Sequence, residues 1–148
     1  MWKIVVSLLS VLKYLHVDKA VIHRDLNPAN IMVDNNFNLK LADFGLAKAI
    51  TQQQQMTNSF VGTLVYSCPE IVSNRAYSEK ADIWSFGCVV YELMKLKPPF
   101  AGTNPLILAK NIVDTDYEAI PTNSYSETLR NIVKLALHKD QEKRPGVV

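Results

Sequence analysis

Two acids and one amide in the first third of the chain have the chemistry of a phosphate-handling site. Asp25 and Asn30 lie in the stretch 23–30, which reads HRDLNPAN, and Asp43 follows thirteen positions after Asn30. Mg²⁺ prefers oxygen ligands and is usually held by one or two carboxylates together with substrate phosphates. Asp43 and Asn30 could supply a carboxylate and an amide oxygen, which leaves Asp25 to accept a proton from a substrate hydroxyl. The spacing suggests a site for a metal-bound phosphate.

The segment between Asn30 and Asp43 predicts how these groups come together. Apolar runs at 31–33 and 38–42 flank the turn-forming residues 34–36 (DNN), which is the pattern of a β-hairpin. A hairpin reverses the chain, so we expect Asn30 at its entrance and Asp43 at its exit to lie side by side.

Composition and length indicate an ordinary globular domain. The chain has 148 residues, 48% hydrophobic and 20% charged, which argues against disorder. Its formal net charge of +2 is too small to imply a nucleic acid or an anionic membrane as partner. Cys68 and Cys88 fit no metal spacing and no disulfide framework, so we expect reduced thiols in an intracellular protein.

Helical periodicity dominates the rest of the chain. Apolar residues between 4 and 15 form one helical stripe, too short in its continuous part to cross a bilayer and followed by no cleavage site. Residues 78–94 are apolar nearly all round, which predicts a buried helix starting near Ser78 and Glu79. Two further helices are expected around 106–113 and 129–137. By contrast, 46–67 lacks periodicity, and its polar, uncharged part 51–59 (TQQQQMTNS) reads as a mobile loop.

Taken in order, these motifs resemble the catalytic domain of eukaryotic protein kinases. The HRDLNPAN stretch, Asp43-Phe44-Gly45, the CPE triplet at 68–70, the helix from 78 and Arg144-Pro145 fall in the order and spacing of that family. The resemblance implies an α+β, mainly α-helical fold, that of the kinase large lobe with a short catalytic-loop hairpin. Residues 1–148 would form this partial kinase domain, with the activation segment at 43–70.

Within the superfamily, the chain looks like the NIMA-related kinases. The segments at 61–63 (VGT), 77–84 (YSEKADIW) and 98–100 (PPF) show this likeness. The segments at 66–70 (YSCPE) and 26–32 (LNPANIM) look most like the divergent tenth member of that family.

The resemblance assigns catalytic and cofactor-binding roles. Asp25 would be the catalytic base, Asn30 and Asp43 would bind Mg²⁺ and ATP, and Thr63 would help to place a serine or threonine hydroxyl. Asn27 departs from the family, which usually has Lys there to steady the phosphoryl group in flight. Because Asn carries no charge, we expect transfer slowed roughly ten- to a hundred-fold. The departure also admits tyrosine as a substrate.

Regulation and scaffolding roles follow from the same resemblance. Ser59 precedes FVGT at the place of the family's activating phosphate, with Thr57 and Thr51 as reserves, and Arg24 could pair with that phosphate. Asp82 would hydrogen-bond the backbone of the catalytic loop, since a buried acid must be paired. The residues expected to be structural are His23, Phe44, Gly45, Glu70, Asp82 and Arg144, with Glu70 paired to Arg144 in the core.

The sequence has no glycine-rich phosphate loop, no strand lysine ahead of the first helix and no partner glutamate helix. We therefore expect a kinase large lobe, either a truncated isoform or a fragment, inactive alone and associating through its bare apolar surface. Its expected partners are a protein substrate, ATP and the missing small lobe, with neither nucleic acid nor membrane. The alternative is a non-catalytic protein-binding module. Family analogy suggests a cytoplasmic location, with nuclear or cilium and centrosome association.

Overall fold

Helices make up most of the computed structural model, which describes residues 1–42, the backbone of 48–49, and residues 64–148. The α+β, mainly helical architecture predicted from the sequence is confirmed. The helices are α1 (Trp2–Lys13), α2 (Pro69–Val72), α3 (Lys80–Lys95), α4 (Pro105–Asp114) and α5 (Glu127–Ala136). Short 3₁₀ turns cover Pro28–Asn30, Leu64–Tyr66 and Gln141–Lys143. No helix in the described ranges is long and apolar enough to span a bilayer.

α3 lies at the centre of the core. As its sequence predicts, it is buried nearly all round, because apolar residues occupy most of its faces. Ser78 Oγ accepts from the Lys80 N–H at 3.3 Å where the helix begins. The helix ends at Leu96, whose φ of 56° places it in the left-handed region. Trp84, fully buried, stacks on Phe100 with ring centroids 5.5 Å apart.

α1 packs its predicted stripe into the same core, where Val5, Leu8 and Leu12 are completely buried. The helix does not stop at Lys13. It continues into a wider π-helical turn, Tyr14–Asp18, that leads toward the loop 23–30.

α4 and α5 begin at side-chain caps. Asn104 Oδ1 accepts from the Ile107 N–H at 2.9 Å, and Ser126 Oγ accepts from the Leu129 N–H at 3.3 Å. Each cap satisfies an N–H that has no partner within its helix, which fixes where the helix starts. α5 packs against α3.

The predicted hairpin is present. β2 (Ile31–Val33) and β3 (Leu39–Leu41) pair antiparallel, with Ile31 opposite Leu41. Asp34 closes the turn, because its carboxylate accepts the N–H groups of residues 36 and 38, both at 2.8 Å. The Ala42 N–H donates to Asn30 O at 2.8 Å, so the chain leaves the hairpin beside the residue where it entered.

A second strand pair was not predicted. β1 (Val21–Ile22) pairs antiparallel with β4 (Lys48–Ala49). β4 lies in the stretch 46–67, whose sequence lacks periodicity. Strands of two residues are too short to show the alternation of apolar and polar residues that predicts a strand. The loop predicted at 51–59 lies outside the described residues.

Candidate active site

The carboxylate of Asp25 is held by two amides. Asn27 Nδ2 donates to Asp25 Oδ1 at 3.0 Å, and Asn30 Nδ2 donates to Oδ2 at 2.9 Å. Both amides also donate to the main-chain oxygen of Asp25, at 3.1 and 2.8 Å. The carboxylate is therefore fixed in direction while remaining partly exposed to solvent.

The amide of Asn27 is engaged at both ends. Its Oδ1 accepts from the Ala29 N–H at 3.0 Å and so caps the turn Pro28–Asn30. Its nitrogen faces Asp25, and the residue is buried. In this conformation Asn27 builds the loop and orients Asp25.

Asn30 is oriented in a way that suits a hard cation. Because its amide nitrogen points at Asp25, its oxygen Oδ1 is the end left for a ligand, and amide oxygens suit Mg²⁺. Within the described ranges, no group of three His, Cys, Asp or Glu side chains is gathered as a metal site. The predicted second ligand, Asp43, lies outside those ranges.

Asp82 anchors the loop that contains Asp25. This fully buried carboxylate accepts the N–H of His23 at 2.8 Å and the N–H of Arg24 at 2.9 Å. The expected bonding of Asp82 to the catalytic-loop backbone is confirmed. A third donor was not predicted: His16 Nε2 lies 2.8 Å from Asp82 Oδ2.

Arg24 combines an unusual backbone with a side chain that lies against Tyr77. Its φ of 71° lies in the left-handed region, which costs energy for any residue with a Cβ. Its guanidinium lies over the ring of Tyr77, 5.6 Å from the centroid. Pairing of Arg24 with a phosphate stays a prediction.

α3 also holds the segment 64–67. Ser85 Oγ donates to Tyr66 O at 2.8 Å, and Tyr66 Oη donates to Glu92 Oε2 at 2.7 Å. Burial, followed by the bond to Glu92 and that residue's charge, raises the pKa of the Tyr66 hydroxyl. Residues 82, 85 and 92 lie on one face of α3, so one helix fixes both segments.

A small cleft lies between these two segments. Its volume is about 10 Å³, about that needed for one water. Asp25 and Arg24 line it together with Tyr66 and Ser67. The loop 23–30 and the segment 64–67 therefore both contribute to this cleft.

Glu70 and Arg144 form the predicted buried ion pair. Arg144 Nη1 and Nη2 lie 2.6 and 2.8 Å from Glu70 Oε1 and Oε2. Burial by itself raises the pKa of Glu70. Hydrogen bonds from Arg144 and Cys68, with the Arg144 charge, outweigh it and leave that pKa below its ordinary value. The pair connects α2 to Arg144, which directly follows the 3₁₀ turn Gln141–Lys143.

Several predicted site residues lie outside the described residues, and their roles stay predictions. They are Asp43, Phe44, Gly45, Thr51, Thr57, Ser59 and Thr63.

Sequence reasoning missed three residues of the site: His16, Ser85 and Glu92. A signal existed for two of them. Ser85 and Glu92 are polar positions in a helix that is otherwise apolar, spaced so that they share a face with Asp82. A buried polar residue needs a partner, so each could have been predicted to bond a neighbouring segment.

Comparison with known proteins identifies the family. The protein kinase domain family matches the whole chain, residues 1–148, and the chain belongs to that family.

Its relatives include NIMA-related kinases, as the sequence predicted. The chain is 44% identical over its full length to the serine/threonine-protein kinase Nek10 of Mus musculus, and 44% identical to that of Homo sapiens. It is 40% identical over 99% of its length to the probable serine/threonine-protein kinase nek2 of Dictyostelium discoideum. The chain spans only 13%, 12% and 35% of these relatives' lengths.

Proposed function

We propose that this chain supplies the proton-accepting and metal-binding half of a protein kinase active site. The site transfers the γ-phosphate of ATP to a serine or threonine hydroxyl of a protein. The observation that supports this most is the arrangement of Asp25: its carboxylate is held by Asn27 and Asn30, and its backbone neighbours are fixed by Asp82. A general base must have a fixed direction toward the proton it removes.

In the proposed reaction the substrate hydroxyl oxygen attacks the γ-phosphorus of ATP. The new P–O bond forms as the bond between the γ-phosphorus and the β–γ bridging oxygen breaks, and ADP leaves. The hydroxyl proton passes to the carboxylate of Asp25. Asn27 and Asn30 keep that carboxylate aimed during transfer, which is a contribution of positioning.

Asn30, together with Asp43, would hold Mg²⁺. When bound, the metal neutralises phosphate charge. The amide orientation of Asn30 supports this, because the same hydrogen bonds that fix Asp25 turn Oδ1 of Asn30 away from it.

The proposed substrate hydroxyl is that of serine or threonine, and Thr63 would help to place it. The position of Asn27 carries no cation, and its amide is engaged within the loop. Because no cation at position 27 steadies the phosphoryl group, tyrosine remains an alternative acceptor. The experiment below distinguishes it from serine and threonine.

Phosphorylation of Ser59, or of Thr57, would switch the site on through Arg24. Arg24 supports this because its N–H is fixed on Asp82, its guanidinium lies over the ring of Tyr77, and the residue lines the cleft. A guanidinium there can donate two parallel hydrogen bonds to a phosphate.

The test is transfer from γ-labelled ATP with Mg²⁺ to a general protein substrate, followed by analysis of which amino acid carries the label. Three chains are compared: wild type, Asp25→Asn, and the matched control Asp116→Asn, which changes an exposed loop acid. Transfer to serine or threonine by wild type and control, absent in Asp25→Asn, supports the proposal. Equal transfer by all three contradicts the role of Asp25. No transfer by any of them agrees with the expected inactivity of the chain alone and favours the non-catalytic binding module for it.

A further inference from the structure

Lys139 places its amine against a pair of stacked aromatic rings. The rings of Trp84 and Phe100 are nearly parallel, with an angle of 8° between their planes and centroids 5.5 Å apart. Lys139 Nζ lies 4.1 Å from the Phe100 centroid and 5.3 Å from the Trp84 centroid. Both aromatic residues are buried. On this side the amine therefore faces apolar surface instead of water.

The same amine is bonded to the end of α4. Lys139 Nζ donates to the main-chain oxygen of Ile112, which belongs to the last turn of that helix. The last carbonyl groups of a helix have no partner within it, and this bond supplies one. α4 packs in turn against α2 and against the turn Leu64–Tyr66. The amine is thus held in place between the aromatic pair and the end of α4.

The surroundings of Lys139 favour the free amine. Burial lowers the pKa of Lys139, and the charge of Arg144 acts in the same direction. The charges of Asp116 and Asp114 act in the opposite direction and are outweighed. The free amine is the nucleophilic form of lysine, and desolvation is one of the ways in which proteins activate it. Because the residue is partly exposed, it remains open to reagents in solution.

We propose that Lys139 is an acylation site, at which the amine takes an acyl group from a thioester, and that acylation loosens the end of α4. In this step Nζ attacks the carbonyl carbon of the thioester. The new C–N bond forms as the C–S bond breaks, and the leaving thiolate takes up one proton from the nitrogen. The products are a neutral amide and a free thiol. The proposal does not depend on phosphoryl transfer.

The effect on α4 follows from the space around the amine. Carbon atoms in contact lie roughly 3.5–4.0 Å apart, so Nζ at 4.1 Å from the Phe100 centroid already touches that ring. An acyl group added there has no room while Nζ keeps its place. The acylated side chain must move outward, which takes the donor away from Ile112 O. The last turn of α4 then loses one of its hydrogen bonds.

The first test needs no variant. The folded 148-residue chain reacts at neutral pH with acetyl-coenzyme A, a small acyl thioester, and peptide mass spectrometry follows each lysine. Lys134 and Lys143 are both exposed and serve as internal references. We expect Lys139 to be acetylated at least about threefold faster than either.

The same reaction in guanidinium chloride is the control. Unfolding exposes the three amines alike, so the preference for Lys139 should disappear. A rate at Lys139 equal to or below those of the references in the folded chain would overturn the proposal. A preference that persists in the denatured chain would assign it to local sequence and would overturn it as well.

The second test measures the loosening of α4. Wild type and Lys139→Arg are both treated with acetyl-coenzyme A, and the variant keeps a cation that cannot be acetylated under these conditions. The Thr115 N–H, which donates to Asn111 O at 3.1 Å, reports on the end of α4. Val89, within α3, reports global unfolding.

Loss of one hydrogen bond should speed exchange of the Thr115 amide about two- to tenfold in acetylated wild type, with no change at Val89. Treated Lys139→Arg should keep the slow exchange. Equal exchange at Thr115 in the two treated chains would overturn the predicted effect on α4, whatever the rate of acetylation.

Discussion

Glu70 and Arg144 lie 74 positions apart in the sequence and meet in a buried bidentate ion pair, with N–O distances of 2.6 and 2.8 Å. Arg144 also donates from Nε to the main-chain oxygen of His138 at 2.8 Å. Glu70 belongs to α2, which directly follows the segment facing Asp25. The pair therefore fixes one wall of the site to the C-terminal part of the described chain.

Breaking this pair from one side should be costly. Glu70→Gln leaves the buried guanidinium of Arg144 without its counter-charge, and we expect a loss of about 3–5 kcal/mol in the free energy of unfolding. Denaturant unfolding measures it. The control Glu127→Gln, at an exposed first-turn position of α5, should cost less than about 1 kcal/mol. Equal losses in both variants would contradict the prediction.

The same pair predicts a dependence on pH. The pKa of Glu70 lies below its ordinary value of 4.5, so the unfolded chain binds a proton more readily than the folded one as pH falls. The stabilisation is fully present above about pH 4.5 and is lost as pH falls through the lower folded pKa. Melting temperatures of wild type and Glu70→Gln should converge below about pH 4.5. A gap that stays constant down to about pH 3 would contradict this assignment.

Gly87 permits the close packing of α3 on α5. A Cβ at this position would lie 2.8 Å from the Cβ of Ala136 and 3.0 Å from Leu137 Cδ2. Overpacking costs about 1–3 kcal/mol, which exceeds the gain of about 1 kcal/mol from replacing a helical glycine. We expect Gly87→Ala to destabilise the chain in thermal unfolding. Adding Ala136→Gly should recover part of the loss, and a strictly additive double variant would argue against a clash.

Phe37 carries strain that glycine would relieve. It lies at the hairpin turn with φ of 58°, and its side chain is exposed. A left-handed residue with a Cβ costs roughly 1–2 kcal/mol, and the greater backbone freedom of glycine offsets about 0.5–1 kcal/mol of that. Phe37→Gly should therefore raise the free energy of unfolding by about 0.5–1 kcal/mol. Phe37→Ala keeps a Cβ on the left-handed backbone and serves as the control. An equal gain in the free energy of unfolding of Phe37→Ala would rule out backbone strain as the cause.

The two cysteines should be inert while the chain is folded. Burial raises the pKa of the thiols of both Cys68 and Cys88, and the thiolate is the reactive form. Neither should be alkylated by iodoacetamide at neutral pH, and both should react after denaturation. Modification of the folded chain at the rate of a free thiol would show that one of them is accessible.

Much of the architecture could be predicted because it follows from local patterns. One element each follows from the apolar stripe of α1, from the sequence of α3, which is apolar nearly all round, and from the two apolar runs around an Asx-rich turn. The partners of Asp82 and Glu70 could be predicted from the likeness to protein kinases and from the need to pair buried charge. The predicted pairs agree with the hydrogen bonds found.

What sequence reasoning missed depends on contacts distant along the chain. The strand pair β1–β4 joins two-residue segments that show no periodicity. The bond between His16 and Asp82 spans 66 positions and depends on a π-helical turn. No local propensity marks such a turn, so the third donor to Asp82 could not be read from the sequence.

The shared face of α3 has a consequence for how the chain loses structure. Asp82 secures the catalytic loop and Ser85 secures Tyr66, and this carboxylate and this hydroxyl both belong to the first two turns of one helix. Fraying of those turns would release both walls of the cleft together. The two segments therefore belong to one cooperative unfolding unit, and a partly opened chain with only one wall intact should not accumulate.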